Sequence, residues 1–159
     1  MTTDELVQWI ESHFQYRDGE LYWKVARGAA KAGAVAGSVI SNGYKAVFLD
    51  RKSYRVHRLI FLLHHKYLPS QIDHIDGNIL NNRIENLRAA TPSQNGSNKP
   101  KTRFNTSGFK GVVPVKNGYG AKIMKNKKAY WLGTFAEPEV AHAAYVAASK
   151  KLHGEFSHE

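Results

Sequence analysis

The chain has 159 residues, no cysteine, and a formal charge of +10. That length supports one moderate core or two small ones, and without cysteine there is no disulfide framework, thiol nucleophile or thiolate-held zinc, so any metal must be held by oxygen and imidazole. The longest solid apolar block is residues 59–63, and Asp4 and Glu5 stand where a signal peptide would be basic, which predicts a soluble, unprocessed chain in a reducing cytoplasm with no membrane partner.

In chain order, Leu6, Trp9, Ile10 and Phe14 fall at helical spacing, with Thr3 or Asp4 as the cap. Asp18-Gly19 reads as a turn into a strand ending at Trp23. Residues 28–38 read as a plain loop: Gly28 and Gly33 have a phosphate-loop interval, but Ala34 stands where its lysine should be, and Gly33 and Gly37 lack the apolar context of a membrane dimer. Residues 43–49 and 53–56 read as a hairpin with a basic tip at Asp50-Arg51-Lys52. Residues 57–67 read as a helix ended by Pro69. His57, His64 and His65 there have no matching ligand set, and are read as hydrogen-bonded structural groups.

Chemistry concentrates next. Ile72 and Ile75 flank Asp73-His74 at a predicted strand end; Asp76-Gly77-Asn78 is a turn signal, and a polar loop runs to Asn82. Ile84 and Leu87 anchor the loop in a core, and Thr91-Pro92 opens a helix with a hydroxyl cap and proline at its first position. An acid, an imidazole and the amides of Asn86 and Asn95 are the parts needed to hold a divalent metal against a phosphodiester and to deprotonate a water. Asp76 and Asn78 are explained by the turn alone and are left out of the site.

The blocks His57-Arg58-Leu59, Ile72 to Asn78, Asn81 to Arg88 and Ser93 to Asn98, in that order, resemble the HNH endonucleases of the phage and intron-homing type, in which the last histidine of the name is often asparagine. The resemblance implies a ββα-metal arrangement, with Asp73 on the strand and Asn95 on the helix holding Mg2+, or alternatively Mn2+. It further implies that His74 takes the proton of the attacking water, while Asn86 braces the loop and orients His74. Arg58, Arg83 and Arg88 are near enough in sequence to clamp the scissile strand.

Beyond Pro100 the pattern restarts after a linker. Between residues 86 and 136 there is no acidic residue, while Arg88, Lys99, Lys101, Arg103, Lys110, Lys116, Lys122, Lys125, Lys127 and Lys128 are basic. The rest of the chain is neutral in sum, so the whole net charge sits in one contiguous third, as phosphate neutralisation requires. Turn signals at Asn117-Gly118 and Asn126-Lys127 separate three short strands, and a helix runs from Pro138 to a stop at Gly154. The blocks Ser107 to Val112, Tyr119 to Ile123, Tyr130 to Phe135 and Glu139 to Leu152 resemble an AP2 DNA-binding domain. Val113, Val115 and Met124 stand where plant AP2 domains use arginines, so this module is expected to position DNA through lysines more than to read bases, with Tyr130 and Trp131 in its core.

The expected fold class is α+β: an N-terminal helix and β-rich region (1–56), an HNH ββα-metal module (57–100), a linker (101–106), and an AP2-like three-stranded sheet with one helix (107–159). The expected function is metal-dependent cleavage of double-stranded DNA to 5′-phosphate and 3′-hydroxyl ends, in the cytoplasm of a host cell if phage-encoded. Asp73 and Asn95 would serve the metal, His74 and Asn86 the catalysis, and Arg58, Arg83, Arg88, Lys99, Lys101, Arg103, Lys110, Lys116, Lys122 and Lys125 the DNA. A monomer would nick and a homodimer would cut both strands; no protein partner is implied. The alternatives are a non-catalytic DNA-binding regulator on the same scaffold, and an RNA-binding or RNA-cleaving protein.

Overall fold

A computed structural model describes residues 2–49, 51–98 and 105–157. The fold is α+β, and the chain divides into two compact units, Met1–Ala89 and Ala90–Glu159. No described helix is long and apolar enough to cross a membrane.

The first unit opens with α1 (Thr3–His13), capped by Thr2 in a reciprocal box with Glu5, one residue earlier than the sequence suggests. Phe14 leaves the helix to start β1 (Phe14–Arg17), which pairs antiparallel with β2 (Glu20–Trp23) across Asp18 and Gly19. Both turn residues have positive φ, 48° and 86°, as a tight hairpin requires. A three-stranded sheet follows, ordered β3 (Ser38–Val39), β4 (Lys45–Leu49), β5 (Lys52–Arg55). Then α2 (Val56–His65) ends because Lys66 turns left-handed at φ 62°, three residues ahead of Pro69. Leu59, Ile60, Phe61 and Leu62 are all buried, so α2 is the core element of this unit, each side chain contributing about 2 kcal/mol. Ile10, Phe14, Leu21, Val47, Leu49, Ile72 and Leu87 pack around it.

Ile72 and Leu87 fix the position of the segment of interest. They lie on β6 (Gln71–His74) and β7 (Leu87–Ala90), which form a two-stranded sheet separated by a loop and a 3-10 turn (Ile84–Asn86).

The second unit holds α3 (Pro92–Asn98), β8 (Val112–Val115), β9 (Gly118–Lys125), β10 (Lys128–Phe135), and α4 (Pro138–His153). The strands form an antiparallel meander in the order β10-β9-β8. Thr91 and Gln94 cap α3 reciprocally, each side chain accepting from the other's backbone N–H at 3.3 and 2.8 Å. On the inner face of the sheet Val112, Ala121, Tyr119 and Leu132 meet Ala141 and Ala144 of α4, the small residues allowing close approach. Trp131 departs from the expected core placement: it is 55% exposed and Tyr130 is 40% exposed. A register shift between Trp131 and Gly133 turns the indole outward over Gly120, and Leu132 and Phe135 fill the core instead.

Candidate active site

Asp73 and His74 end β6, and both are buried, at 3% and 5% exposure. Burying an acid and an imidazole is costly unless each is partnered. Asp73 meets Arg88 of β7, whose Nε donates to Oδ2 at 2.8 Å, with Nη2 at 2.8 Å from the same oxygen in the ion pair. His74 meets Asn82, with Nε2 and the amide Oδ1 3.1 Å apart. Asn82 is 2% exposed, and its Nδ2 has no hydrogen-bond partner among the described residues. An orphaned buried N–H costs about 1–3 kcal/mol, which an apolar residue would avoid, so the reason for an amide here is its oxygen on His74. With that oxygen accepting, Nε2 is the ring nitrogen that donates.

The loop that delivers Asn82 is stitched by amides. Asn86 Oδ1 accepts from the Asp76 N–H at 3.1 Å, and its Nδ2 donates to Asp76 Oδ1 at 2.9 Å and to the Asn81 carbonyl at 2.8 Å. Asp76 also accepts from the N–H of Asn78 and from Asn81 Nδ2. Burial pushes the Asp76 carboxyl up, but the bonds from Asn81, Asn86 and Asn78 together outweigh it and hold the group below its ordinary value. Tyr16 Oη accepts from the Ile84 N–H at 3.0 Å, and Gly19 packs on the backbone of Asn82 and Arg83 so closely that a Cβ would come within 2.8 Å of the Arg83 nitrogen. The β1–β2 turn thus supports the far end of the loop.

Asn86 therefore braces the loop, and the amide on His74 belongs to Asn82, a residue that sequence reasoning left unmarked among Asn78, Asn81 and Asn82. His57, a structural group on the sequence pattern, lies buried beside His74, their ring centroids 5.1 Å apart. Its imidazole is pushed down to about 3, first by burial and then by the charges of His74, Arg55 and Arg58.

The predicted DNA contacts fall in several places. Arg58 lines a surface groove with Arg55, Ser53 and Ser70, and Arg83 is half-exposed, 3.7 Å from Asp18 and Glu85. Arg88 is largely buried with its guanidinium on Asp73, so it serves the acid and is not presented on the surface. Lys110 is half-buried and donates to the Ser97 carbonyl at 2.7 Å, and burial lowers its ammonium pKa. Lys116 and Lys122 are exposed and Lys125 is partly so. Lys99, Lys101 and Arg103 lie outside the described residues. Asn95 stands on α3 in the second unit, partly buried.

Among the described residues no three His, Asp or Glu side chains are grouped as a metal cage. A hard cation such as Mg2+ needs no such cage, since it keeps several waters and is commonly held by one or two carboxylates and the substrate's phosphate oxygens. A single buried carboxylate anchored through Oδ2 fits that donor chemistry.

The HNH endonuclease family model matches residues 54–97, which include His57, Asp73, His74, Asn82, Asn86, Arg88 and Asn95. An uncharacterized HNH endonuclease, L560 of Acanthamoeba polyphaga mimivirus, is 36% identical over 119 residues, covering 73% of this chain and 62% of that protein. Protein 3.8 of Escherichia phage T7 is 33% identical over 97 residues, covering 54% of this chain and 72% of that protein. The AP2/ERF and B3 domain-containing transcription repressor TEM1 of Arabidopsis thaliana is 40% identical over 63 residues, covering 39% of this chain but 18% of its own length. A solved structure of DNA binding and cleavage by the HNH homing endonuclease I-HmuI aligns at TM-score 0.42 and 29% identity, over 58% of this chain and 54% of that one. Residues 54–97 thus carry an HNH endonuclease domain, in a chain that spans 62% of the mimivirus relative's length.

Proposed function

We propose that the protein is a metal-dependent DNA endonuclease of the homing or phage type, hydrolysing phosphodiester bonds to leave 5′-phosphate and 3′-hydroxyl ends. The observation that carries this reading is the buried pair at the end of β6: a carboxylate anchored by Arg88 beside an imidazole whose Nε2 is engaged by Asn82. With the proton held on Nε2, Nδ1 of His74 takes a proton from the attacking water, and the water oxygen closes on phosphorus as the 3′ oxygen departs. Asp73 would hold a divalent cation, Mg2+ or Mn2+, and Asn95 is the neutral donor that the resemblance to HNH enzymes implies. When bound, such an ion supplies charge stabilisation at the phosphorus and at the departing oxygen. Asn86 keeps the loop closed so that Asn82 stays on His74.

The substrate we assign is double-stranded DNA. Support comes from the unbalanced charge of residues 86–136 and from an outer sheet face carrying Lys122, Met124 and the exposed Trp131. We read the second unit's sheet and helix as an AP2-like module that positions the duplex through phosphates, with Lys99, Lys101, Arg103, Lys110, Lys116, Lys122 and Lys125 as its cations and Arg58 and Arg83 flanking the cut.

The test is incubation of supercoiled plasmid with the full chain and Mg2+, with and without EDTA. Metal-dependent nicked or linear product that T4 ligase reseals without kinase treatment is expected. Binding with no cleavage in Mg2+, Mn2+ or Co2+ would leave a DNA-binding protein and overturn the nuclease reading.

A further inference from the structure

Proposed catalysis uses one of two buried imidazoles that touch each other. His57, in the first turn of α2, is 4% exposed, and its ring meets that of His74 edge to face, the planes at 74°. Tyr44 closes the same corner, its ring 5.2 Å from His57 and 6.3 Å from His74, and the Arg55 guanidinium caps the phenol ring at 4.6 Å. His74 is therefore gripped in its plane by Asn82 and walled by two rings. The two kinds of contact do different things. One hydrogen bond fixes a point on an imidazole and leaves the ring able to swing about that point. Rings packed edge to face or tilted against the imidazole restrict the swing by contacts away from that point, and a base must be held within a fraction of an ångström to meet its water.

Position 57 lies among Val56, Leu59 and Ile60, which are buried in the core, so a leucine there would avoid desolvating two ring nitrogens. A planar residue is what the corner uses instead. We propose that His57 is a positioning residue for the general base: its ring, wedged against Tyr44 and His74, holds the His74 imidazole in one orientation. This role rests on His74 being the base. The ring stays neutral down to about 3, so across the working range it acts through shape and not through charge. Flatness, on this account, is what matters, and phenylalanine should substitute where glutamine should not.

Full-length His57→Ala, His57→Gln and His57→Phe are compared with wild type and with His74→Ala. Three quantities are read: the single-turnover rate of plasmid nicking in Mg2+, the DNA Kd in EDTA, and the melting temperature. The Ala and Gln variants should cut roughly 10- to 100-fold more slowly with Kd within about twofold of wild type, while Phe recovers to within about threefold. The His74 ring signal in 1H–13C spectra should broaden or split in Ala and Gln and stay sharp in Phe, which reads ring order even if a variant is less stable. Rates equal to wild type in all three while His74→Ala is inactive would overturn the role of His57 and leave the base assignment standing. Recovery by Gln and not by Phe would also overturn it, by assigning the effect to a polar contact. Full cutting by His74→Ala would remove the base, and this role with it.

Discussion

A histidine sealed in a core without a carboxylate must fold neutral, and His57 shows the consequence for stability. Its folded value is about 3 against an ordinary 6.5, so between those limits the unfolded chain binds the extra proton. The stability associated with its neutral burial is fully present above 6.5 and is lost as pH falls toward 3. Thermal melts across that range should show a steady drop for wild type, and a flatter profile for His57→Phe, which has nothing to protonate; parallel profiles would contradict this. Asn86→Ala removes the part-buried hydrogen bonds to the Asp76 N–H and the Asn81 carbonyl, each worth about 0.5–1.5 kcal/mol net, so denaturant titration should register a loss on that scale together with slower cutting. At this scale the sequence was partly legible. Asp73 and His74 stand out because an acid and an imidazole sit between two apolar anchors before a turn. Asn82 does not, since three asparagines share one polar loop and only the closed loop brings one of them to the imidazole. Nor does the link between His57 and His74, because nothing local says that the first turn of α2 will meet the end of β6.

Elements are legible in the sequence where a backbone rule is strict. The Thr91-Pro92 start of α3, the Pro138 start and Gly154 stop of α4, and the three strands with their turns all follow from caps, proline and positive φ. Ends governed by packing are not. Phe14 belongs to β1 because its ring packs on Trp23 across the hairpin, and Lys66 ends α2 by turning left-handed. Trp131 was misplaced for the same kind of reason: a one-residue shift in β10 exchanges inner and outer faces, and alternation alone does not reveal it. Two element-scale outcomes follow. Gly111→Ala forces a Cβ to within 2.0 Å of the Tyr145 ring at a φ of 76°, and should cost well over about 1 kcal/mol in denaturant titration. Trp131→Ala removes exposed apolar surface from the outer face and should weaken DNA binding with no loss of melting temperature; unchanged affinity would remove that face from the interface.

At the scale of the whole molecule, charge was the legible property and domain limits were less so. The basic third of the chain is evident from composition, whereas the division at Ala89 falls inside β7, where no proline, glycine or polar run marks it. If the lysines neutralise phosphates, log Kd for duplex DNA should rise linearly with log salt, by about 0.9 per phosphate contacted, and Lys122→Gln with Lys125→Gln should lower that slope by roughly 1–2. A salt-independent Kd would contradict the electrostatic account, and stronger competition by RNA than by duplex DNA would contradict the substrate.

The central claim is that His74, held by Asn82 beside an anchored carboxylate, deprotonates the water that cuts DNA. Its most direct measurement is single-turnover plasmid cleavage in Mg2+ by wild type and His74→Ala, with DNA affinity measured in EDTA on the same preparations. The account predicts a rate loss of about 100-fold or more at nearly unchanged affinity. Cleavage by His74→Ala at the wild-type rate would contradict it.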